Sequence, residues 1–218
     1  MSKFVEPFSP TIMETKVSEQ FIDTVNAVGN DVLSSDTKSI QYDWSHKLVG
    51  KVSKEIQIPI PKGEDRQHVL STMRNGCVEY LNYIIDKNRA YDWYKKSGRE
   101  KRPTVKNIKI DSSWIVSQYS GEYNPAHHHN GDFSAVIYLK IPPKMQSELD
   151  VEFKDHYPAN GLIEFMYGEN CDMRSDTIKY KPEVGTMLIF PSYLKHFVYP
   201  FYSEGERRSM SFNASIVI

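Results

Sequence analysis

The chain has 218 residues, a formal net charge of −1 and only two cysteines. A near-neutral balance provides no overall basic field for nucleic acid or anionic lipid, and two cysteines do not suggest a disulfide framework. No stretch approaches the roughly 20 apolar residues that a membrane span needs. We therefore expect a soluble, cytoplasmic protein without a membrane or nucleic-acid partner.

Two stretches of the first hundred residues have helical periodicity. Over residues 16–30 the apolar side chains recur on one helical face, and Gly29 is a natural end. Residues 66–88 make the stronger pattern, with Asp65 as its N-cap. Gly76 inside this second helix costs about 1 kcal/mol relative to alanine, so we expect a tight contact between helix and sheet at this point.

Residues 51–61 predict an edge strand, and the character of the chain changes after Pro103. From there, short β-like runs follow one another, divided by turn residues. The runs are Val105–Ile110, Trp114–Tyr119, Phe133–Ile141, Leu149–Phe153, Leu162–Tyr167, Thr177–Tyr180, Thr186–Phe190, Phe197–Tyr199 and Arg208–Ile218. Strands this short, without intervening helices, predict a jelly roll or barrel.

Together these elements predict an α+β fold in which N-terminal helices pack on a double-stranded β-helix, a cupin-like jelly roll. Residues 1–100 would form the helical support region and residues 104–218 the core of the β-helix. We expect one domain over residues 1–218, because each part alone is too small to cover its sheet face.

A histidine cluster suits a divalent metal ion. It reads His127-His128-His129-Asn130-Gly131-Asp132, and His196 follows much later in the chain. On a strand, His127 and His129 point to the same side and His128 to the other, which makes His128 a supporting or surface residue. Asp132, beyond a glycine turn, could also return to the ion. Two neighbouring ligands and one remote ligand would leave metal positions open for substrate and oxygen; the alternative is a group of surface histidines.

The last strand carries a candidate anion site. Strand alternation puts Arg207, Ser209, Ser211 and Asn213 on one face, and apolar residues on the face that would pack under the helices. A guanidinium on the inner face can hold a carboxylate through two parallel hydrogen bonds, assisted by the Ser209 hydroxyl. The alternative for Arg207 is an exposed salt bridge near a turn.

Tyr138 in the strand 133–141 is a candidate for the same anion. Its phenol could join Arg207 on one carboxylate. A core tyrosine with a satisfied hydroxyl explains the residue equally well.

These motifs resemble the iron(II)/2-oxoglutarate-dependent oxygenases, and most closely those frequent in marine phage genomes. The resemblance covers roughly residues 110–216. It rests on Tyr119-Ser120-Gly121-Glu122-Tyr123-Asn124-Pro125-Ala126-His127-x-His129, Tyr138-Leu139, Gly185-x-Met187-Leu188-Ile189-Phe190-Pro191, His196 and Arg207-x-Ser209-x-Ser211-Phe212-Asn213. A phage-encoded protein of this kind would act in the host cytoplasm.

The resemblance implies roles for these residues. His127 and His196 match the two histidine ligands of Fe(II), Arg207 and Ser209 match the pair that binds the distal carboxylate of 2-oxoglutarate, and Tyr138 matches a tyrosine that assists them. Most members have His-x-Asp, whereas this chain has His129, with Asp132 three residues further on. A three-histidine site, a site completed by Asp132 and a two-histidine site completed by water all remain open.

The function implied is a dioxygenase that uses Fe(II), 2-oxoglutarate and O₂. It would hydroxylate a second substrate, such as a prolyl or other protein side chain or a metabolite, and release succinate and CO₂. Two alternatives are a cupin-type metal enzyme that does not use 2-oxoglutarate and a non-catalytic jelly-roll module, for example of a virion. The primary substrate and the oligomeric state cannot be read from the sequence.

Overall fold

The computed structural model describes residues 2–5, 10–47, 49–59, 61, 63–87, 91–150, 158–172 and 175–217. The helices are α1 (Glu19–Leu33), α2 (Asp36–Gln41), α3 (Gly63–Lys87), α4 (Tyr91–Lys96) and α5 (Ser147–Asp150), with short 3-10 turns at Ser45–Lys47 and Val105–Asn107. The strands are β1 (Lys3–Val5), β2 (Ile12–Lys16), β3 (Lys54–Gln57), β4 (Ile108–Gln118), β5 (Asn124–His127), β6 (Phe133–Lys140), β7 (Ile163–Met166), β8 (Thr177–Tyr180), β9 (Thr186–Pro191), β10 (Lys195–Val198) and β11 (Arg207–Ile216).

The strands form two antiparallel sheets. The larger sheet has the order β1-β2-β9-β6-β11-β4-β3, and the smaller has the order β5-β10-β7-β8. From β4 onward the chain passes repeatedly between the two sheets, which makes a double-stranded β-helix. The predicted α+β fold is confirmed.

The N-terminal part contributes strands as well as helices. The predicted edge strand within 51–61 is confirmed as β3, which pairs with β4 at the edge of the large sheet. At the opposite end, β2 pairs with β9 and β1 pairs with β2. These two strands were not predicted. The sequence 12–16, Ile-Met-Glu-Thr-Lys, has only two apolar residues, and its pairing with a distant strand is not visible locally.

Two predicted helix limits are wrong for physical reasons. Helix α1 continues through Gly29, where a side chain would place its Cβ 2.7 Å from Ile115 Cδ1; the glycine permits close packing rather than ending the helix. Helix α3 begins at Gly63, so Asp65 lies in its first turn and is not the cap. The expected contact at Gly76 is confirmed, because a Cβ there would lie 2.8 Å from Ile189 Cδ1.

Among the predicted strands, the first two are parts of one strand, β4; the start of the first is wrong, because Val105–Asn107 form a 3-10 turn. The predicted strand Leu149–Phe153 is wrong at its start, since Leu149 and Asp150 are in α5; its remainder lies outside the described residues. In the described parts of the chain, no helix combines the length and apolar character needed to cross a membrane.

The large sheet separates two apolar cores. On its outer face, Met210, Phe212 and Ala214 of β11 pack with residues of α1 and α3. On its inner face, Val136, Tyr138 and Leu188 pack against the small sheet. The polar residues of β11 that share the inner face therefore open into the space between the two sheets.

Candidate metal and co-substrate site

Three histidines meet between the sheets. His127 ends β5 and is the direct cross-strand partner of His196 in β10. His129 follows β5 by two residues, and its backbone N–H donates to Ser192 O at 2.9 Å. One ring nitrogen from each histidine lies within 4.8 Å of the other two, so the three can hold one metal ion. Strand alternation does not bring His129 to the cluster, because β5 ends at His127.

Backbone carbonyls orient two of the imidazoles. His127 Nδ1 lies 2.6 Å from Pro125 O, and His196 Nδ1 lies 2.9 Å from Leu194 O. A carbonyl only accepts, so in the neutral ring Nδ1 donates the proton and Nε2 keeps its lone pair. This arrangement is the one that metal-binding histidines use to fix their orientation.

The site favours neutral imidazoles. Burial, together with the smaller effects of the nearby His127 and His128, lowers the pKa of His129 to about 4. Burial also lowers the pKa of His127, against a smaller raising effect of Pro125 O, and it lowers the pKa of His196 well below its ordinary value. Neutral imidazole is the form that binds a metal ion.

The structure does not bring Asp132 or His128 into this cluster. The Asp132 carboxylate accepts a hydrogen bond from Ile216 N at 2.7 Å, and its backbone N–H donates to Ala214 O. The aspartate therefore fixes the turn before β6 to the end of β11. His128 is exposed. Of the three ligand sets left open by the sequence, this geometry favours the three histidines.

The alternation predicted for β11 is confirmed. Arg207, Ser209 and Ser211 line a pocket that also contains His127, His129 and His196. The remaining wall of this pocket is mainly apolar, with Trp114, Val116, Ala135, Val136, Ile163, Phe190 and Val198. A metal site and a buried cation thus share one largely apolar cavity.

Arg207 is buried with incomplete hydrogen bonding. Its Nη1 donates to Gln118 Oε1 at 3.0 Å, but Nε and Nη2 have no partner of normal geometry among the residues that the structure describes. Its guanidinium carbon lies 5.1 Å from the ring centroid of Tyr138. The Tyr138 hydroxyl is also buried and lacks a partner of normal geometry, and burial raises the pKa of this phenol. Such groups are costly unless a ligand satisfies them.

Gln118 also contacts Arg207, and this contact was not predicted from the sequence. Its side-chain NH₂ group donates to Glu122 O and Tyr199 O, and its side-chain carbonyl accepts a hydrogen bond from Arg207 Nη1. The sequence does indicate that Gln118 faces the pocket, since the alternation of β4 places it on the same face as Trp114 and Val116. The pairing of Gln118 with Arg207 could not be read without the register of β4 and β11.

Residues 112–213 match the family described as "Putative 2OG-Fe(II) oxygenase". The matched segment contains the three histidines, Tyr138, Arg207 and Ser209. Over this segment, slightly less than half of its length, the chain is similar to the 2OG-Fe(II) oxygenases, which use Fe(II), 2-oxoglutarate and O₂. This confirms the predicted family and cofactors; a phage origin is not indicated by the comparisons and stays a prediction.

Solved structures with a similar fold include a prolyl-4-hydroxylase from Pseudomonas putida, at 13% identity and a TM-score of 0.53 over 95% of this chain and 92% of that one. AviO1 from Streptomyces viridochromogenes has 12% identity and a TM-score of 0.52 over 94% and 89%. A prolyl hydroxylase from Trichoplax adhaerens, solved with a hypoxia-inducible factor peptide, has 14% identity and a TM-score of 0.50 over 97% and 81%. No curated protein matches by sequence.

The residues present fit the cofactors of this family. Three neutral nitrogen donors suit a divalent transition metal, and the free nitrogens Nε and Nη2 of Arg207 suit the two oxygens of a carboxylate. The fit rests on atoms of this chain that are otherwise unsatisfied.

Proposed function

We propose that His127, His129 and His196 hold Fe(II), that Arg207 with Tyr138 and Ser209 binds the distal carboxylate of 2-oxoglutarate, and that the enzyme hydroxylates a prolyl or other protein side chain. Succinate and CO₂ would be the co-products. The single observation that carries the co-substrate assignment is Arg207, which is buried yet has two guanidinium nitrogens without a hydrogen-bond partner of normal geometry among the described residues.

The position of Arg207 supports a ligand role over a structural one. A structural buried arginine needs a carboxylate from the protein, and the described residues that line this pocket include no acidic side chain. Gln118 holds one edge of the guanidinium and leaves the other edge for an anion. This distribution favours the 2-oxoglutarate enzyme over a cupin-type enzyme that does without this co-substrate.

The chain's own residues position and shield the reactants. Bound Fe(II) would supply the activation of O₂, which side chains alone cannot provide. Phe190, Ile163 and Val198 keep the cavity apolar, and water exclusion strengthens each electrostatic contact within it. The neutral Tyr138 phenol can donate a hydrogen bond to the same carboxylate as Arg207.

A protein side chain as substrate is supported by the surface next to the site. A groove lined by Tyr80, Trp93, Pro191 and Tyr193 reaches His129, and the Trp93 and Tyr193 side chains are exposed. Aromatic grooves of this kind suit an extended peptide. The similar structures from Pseudomonas putida and Trichoplax adhaerens are prolyl hydroxylases, which makes prolyl peptides the first class to try.

The co-substrate assignment is tested by replacing Arg207 with methionine. Removing one partner of a buried charge-assisted contact costs about 2–5 kcal/mol, so the affinity for 2-oxoglutarate, measured by calorimetry with Mn(II) present, should fall about 30-fold or more. Mn(II) binding without 2-oxoglutarate should not weaken. The control is Arg102→Met, which removes an exposed arginine paired with Asp86. Equal loss of metal and 2-oxoglutarate binding would contradict the role of Arg207.

The substrate class is tested by turnover with Fe(II), 2-oxoglutarate and a library of prolyl and lysyl peptides. We expect some peptides to raise succinate formation above the rate without peptide, with a mass gain of one oxygen atom on the peptide. Stimulation by small metabolites and by no peptide would reject a protein side chain as substrate, while the 2-oxoglutarate-dependent activity itself would stand.

A further inference from the structure

We propose that the metal ion and 2-oxoglutarate bind this site interdependently, because His129 makes the ligand set neutral and leaves the buried positive charge to be balanced by the dicarboxylate. This inference rests on the proposed function. It concerns the order and strength of binding, which the identity of the ligands does not determine.

The charges of the pocket give the first step. A divalent ion on His127, His129 and His196 brings two positive charges to three neutral donors. Arg207 adds a third positive charge in the same pocket and is only 2% exposed. None of the described residues lining the pocket is acidic, so the protein does not balance these charges from its own wall.

The nearest candidates for a compensating carboxylate are engaged elsewhere. Asp132 is held by the backbone N–H of Ile216. Glu164 precedes Phe165, whose ring contacts His196. The Glu164 carboxylate, however, accepts a hydrogen bond from the Tyr199 hydroxyl and forms an ion pair with Lys179. Tyr138 is a neutral phenol whose pKa is raised by burial. Glu55, in the row of Val116 and Ser209, is also buried, but it is not among the described residues that line the pocket. The pocket lining therefore supplies no counter-charge, and a bound dicarboxylate would supply it.

A dicarboxylate fits this requirement at both ends. One carboxylate can approach the metal ion while the other meets the free nitrogens of Arg207. Uncompensated buried charge is costly, so each partner should raise the affinity for the other. The factor by which 2-oxoglutarate raises the metal affinity must equal the factor by which the metal raises the 2-oxoglutarate affinity, since coupling between binding sites is reciprocal. We expect Mn(II) affinity to rise at least about tenfold when 2-oxoglutarate is present, within the usual range of such couplings.

Direct contact between 2-oxoglutarate and the metal ion would couple their binding whatever the protein ligands are. The test must therefore change the charge at position 129. His129→Asp places a carboxylate in the cluster. The matched control is His128→Asp, which adds the same charge at the exposed neighbouring residue outside it. Binding of Mn(II), followed by the loss of the free-ion signal in electron paramagnetic resonance, is measured for each protein with and without 2-oxoglutarate.

For His129→Asp we expect Mn(II) alone to bind about tenfold or more tightly than in the wild type, and the coupling factor to fall about tenfold. In His128→Asp both quantities should stay within about threefold of the wild type. If His129→Asp does not fold, His129→Gly supplies the same comparison: added acetate should lower the coupling factor, and added imidazole should restore the wild-type value.

The outcomes separate this inference from the proposed function. If wild-type Mn(II) and 2-oxoglutarate both bind but without coupling, or if a carboxylate at position 129 leaves the coupling unchanged, the inference is overturned and the proposed function stands. If 2-oxoglutarate does not bind the Mn(II)-loaded wild type, or if Mn(II) binds equally well after His127→Ala and His196→Ala, the proposed site itself is rejected and the inference with it.

Discussion

Two neighbouring arginines of β11 are both buried and have opposite surroundings. Arg208, 4% exposed, faces the helices; its Nε and Nη2 donate to Glu206, and its Nη1 donates to the side chains of Asn26 and Asn30. Arg207 faces the space between the sheets, and its Nη1 donates to Gln118, while its Nε and Nη2 have no partner of normal geometry in the described part of the chain. Strand alternation alone separates a cation that the protein satisfies completely from one that it leaves partly unsatisfied.

If the proposed function is right, the same residue type stabilises the structure on one face of β11 and binds a ligand on the other. Burial alone would raise the pKa of Glu206, but hydrogen bonds from Arg208, Ser117 and Lys140 outweigh it, and the pKa is lowered. Such a network holds the start of β11 in place. Arg207 lies between Glu206 and Arg208, so the same network also holds the backbone at Arg207. The structural arginine thereby helps to position the proposed binding arginine.

The largest effect on stability is expected for Arg208→Met. Glu206 would keep Ser117 and Lys140 but lose the contact to a buried cation, and breaking a buried pair from one side costs about 3–5 kcal/mol. Urea denaturation followed by circular dichroism should show a loss of that order. Lys140→Met, which removes the exposed partner of the same Glu206, should cost less than about 1 kcal/mol. Equal losses in both variants would contradict the structural assignment of Arg208.

Glu55 offers a second unsatisfied group on the inner face. It pairs with Val116, in the row that continues to Ser209 and Tyr138. It is 5% exposed, and its Oε1 has no hydrogen-bond partner. Burial, together with the negative charges of Asp43 and Glu122, raises the pKa of Glu55 from 4.5 to about 7. Because the folded pKa is higher than the unfolded one, folding is favoured by protonation, and stability falls as the pH rises from about 4.5 to 7.

Glu55→Gln should therefore stabilise the protein at pH 8.5 by an amount on the order of 2–3 kcal/mol, and the gain should shrink towards zero near pH 4.5. Denaturation curves of both proteins at several pH values test this, with the acid end as the internal control. A difference in stability that does not change with pH would show that ionisation of Glu55 is not its cause.

A smaller and opposite effect is expected for Arg207→Met in the absence of ligands. Replacing a buried, poorly satisfied charge by an apolar side chain is often stabilising, by about 1–4 kcal/mol, and we expect the lower part of that range because Gln118 loses its partner. With saturating Mn(II) and 2-oxoglutarate the wild type should become the more stable of the two proteins, since it alone gains the full binding energy. A variant that is less stable than the wild type without ligands would make Arg207 a structural residue like Arg208.

The sequence predicted the β11 alternation because one apolar face and one polar face alternate over ten residues, from Arg207 to Ile216. It likewise placed His127, His196 and Arg207 in one site, since their spacing carries the family motif. The third ligand was not predictable, because Asp132 and His129 are both chemically suitable. In the structure the Asp132 carboxylate accepts from Ile216 N, 84 residues further along the chain, and the group of possible metal ligands contains His129 instead.

The N-terminal region was less predictable for a related reason. Local periodicity gave α1 and α3, but β2 depends on pairing with β9 across more than 170 residues. Gly29 illustrates the same limit. A glycine at the end of an apolar pattern predicts a helix end, and only the Ile115 side chain packed against it shows why the helix continues.

The smallest predicted effect concerns Gln118, whose replacement removes the hydrogen bond that Arg207 Nη1 donates and so sharpens the comparison of the two arginines. Gln118→Met keeps the volume but leaves the guanidinium free to turn, at the cost of one hydrogen bond to a charged group, about 1.5 kcal/mol. The affinity for 2-oxoglutarate, measured with Mn(II), should fall about tenfold. Binding of 2-oxobutyrate, which lacks the distal carboxylate, should not change, because Gln118 acts only through Arg207. If both ligands lose affinity equally, Gln118 supports the pocket as a whole and does not position Arg207.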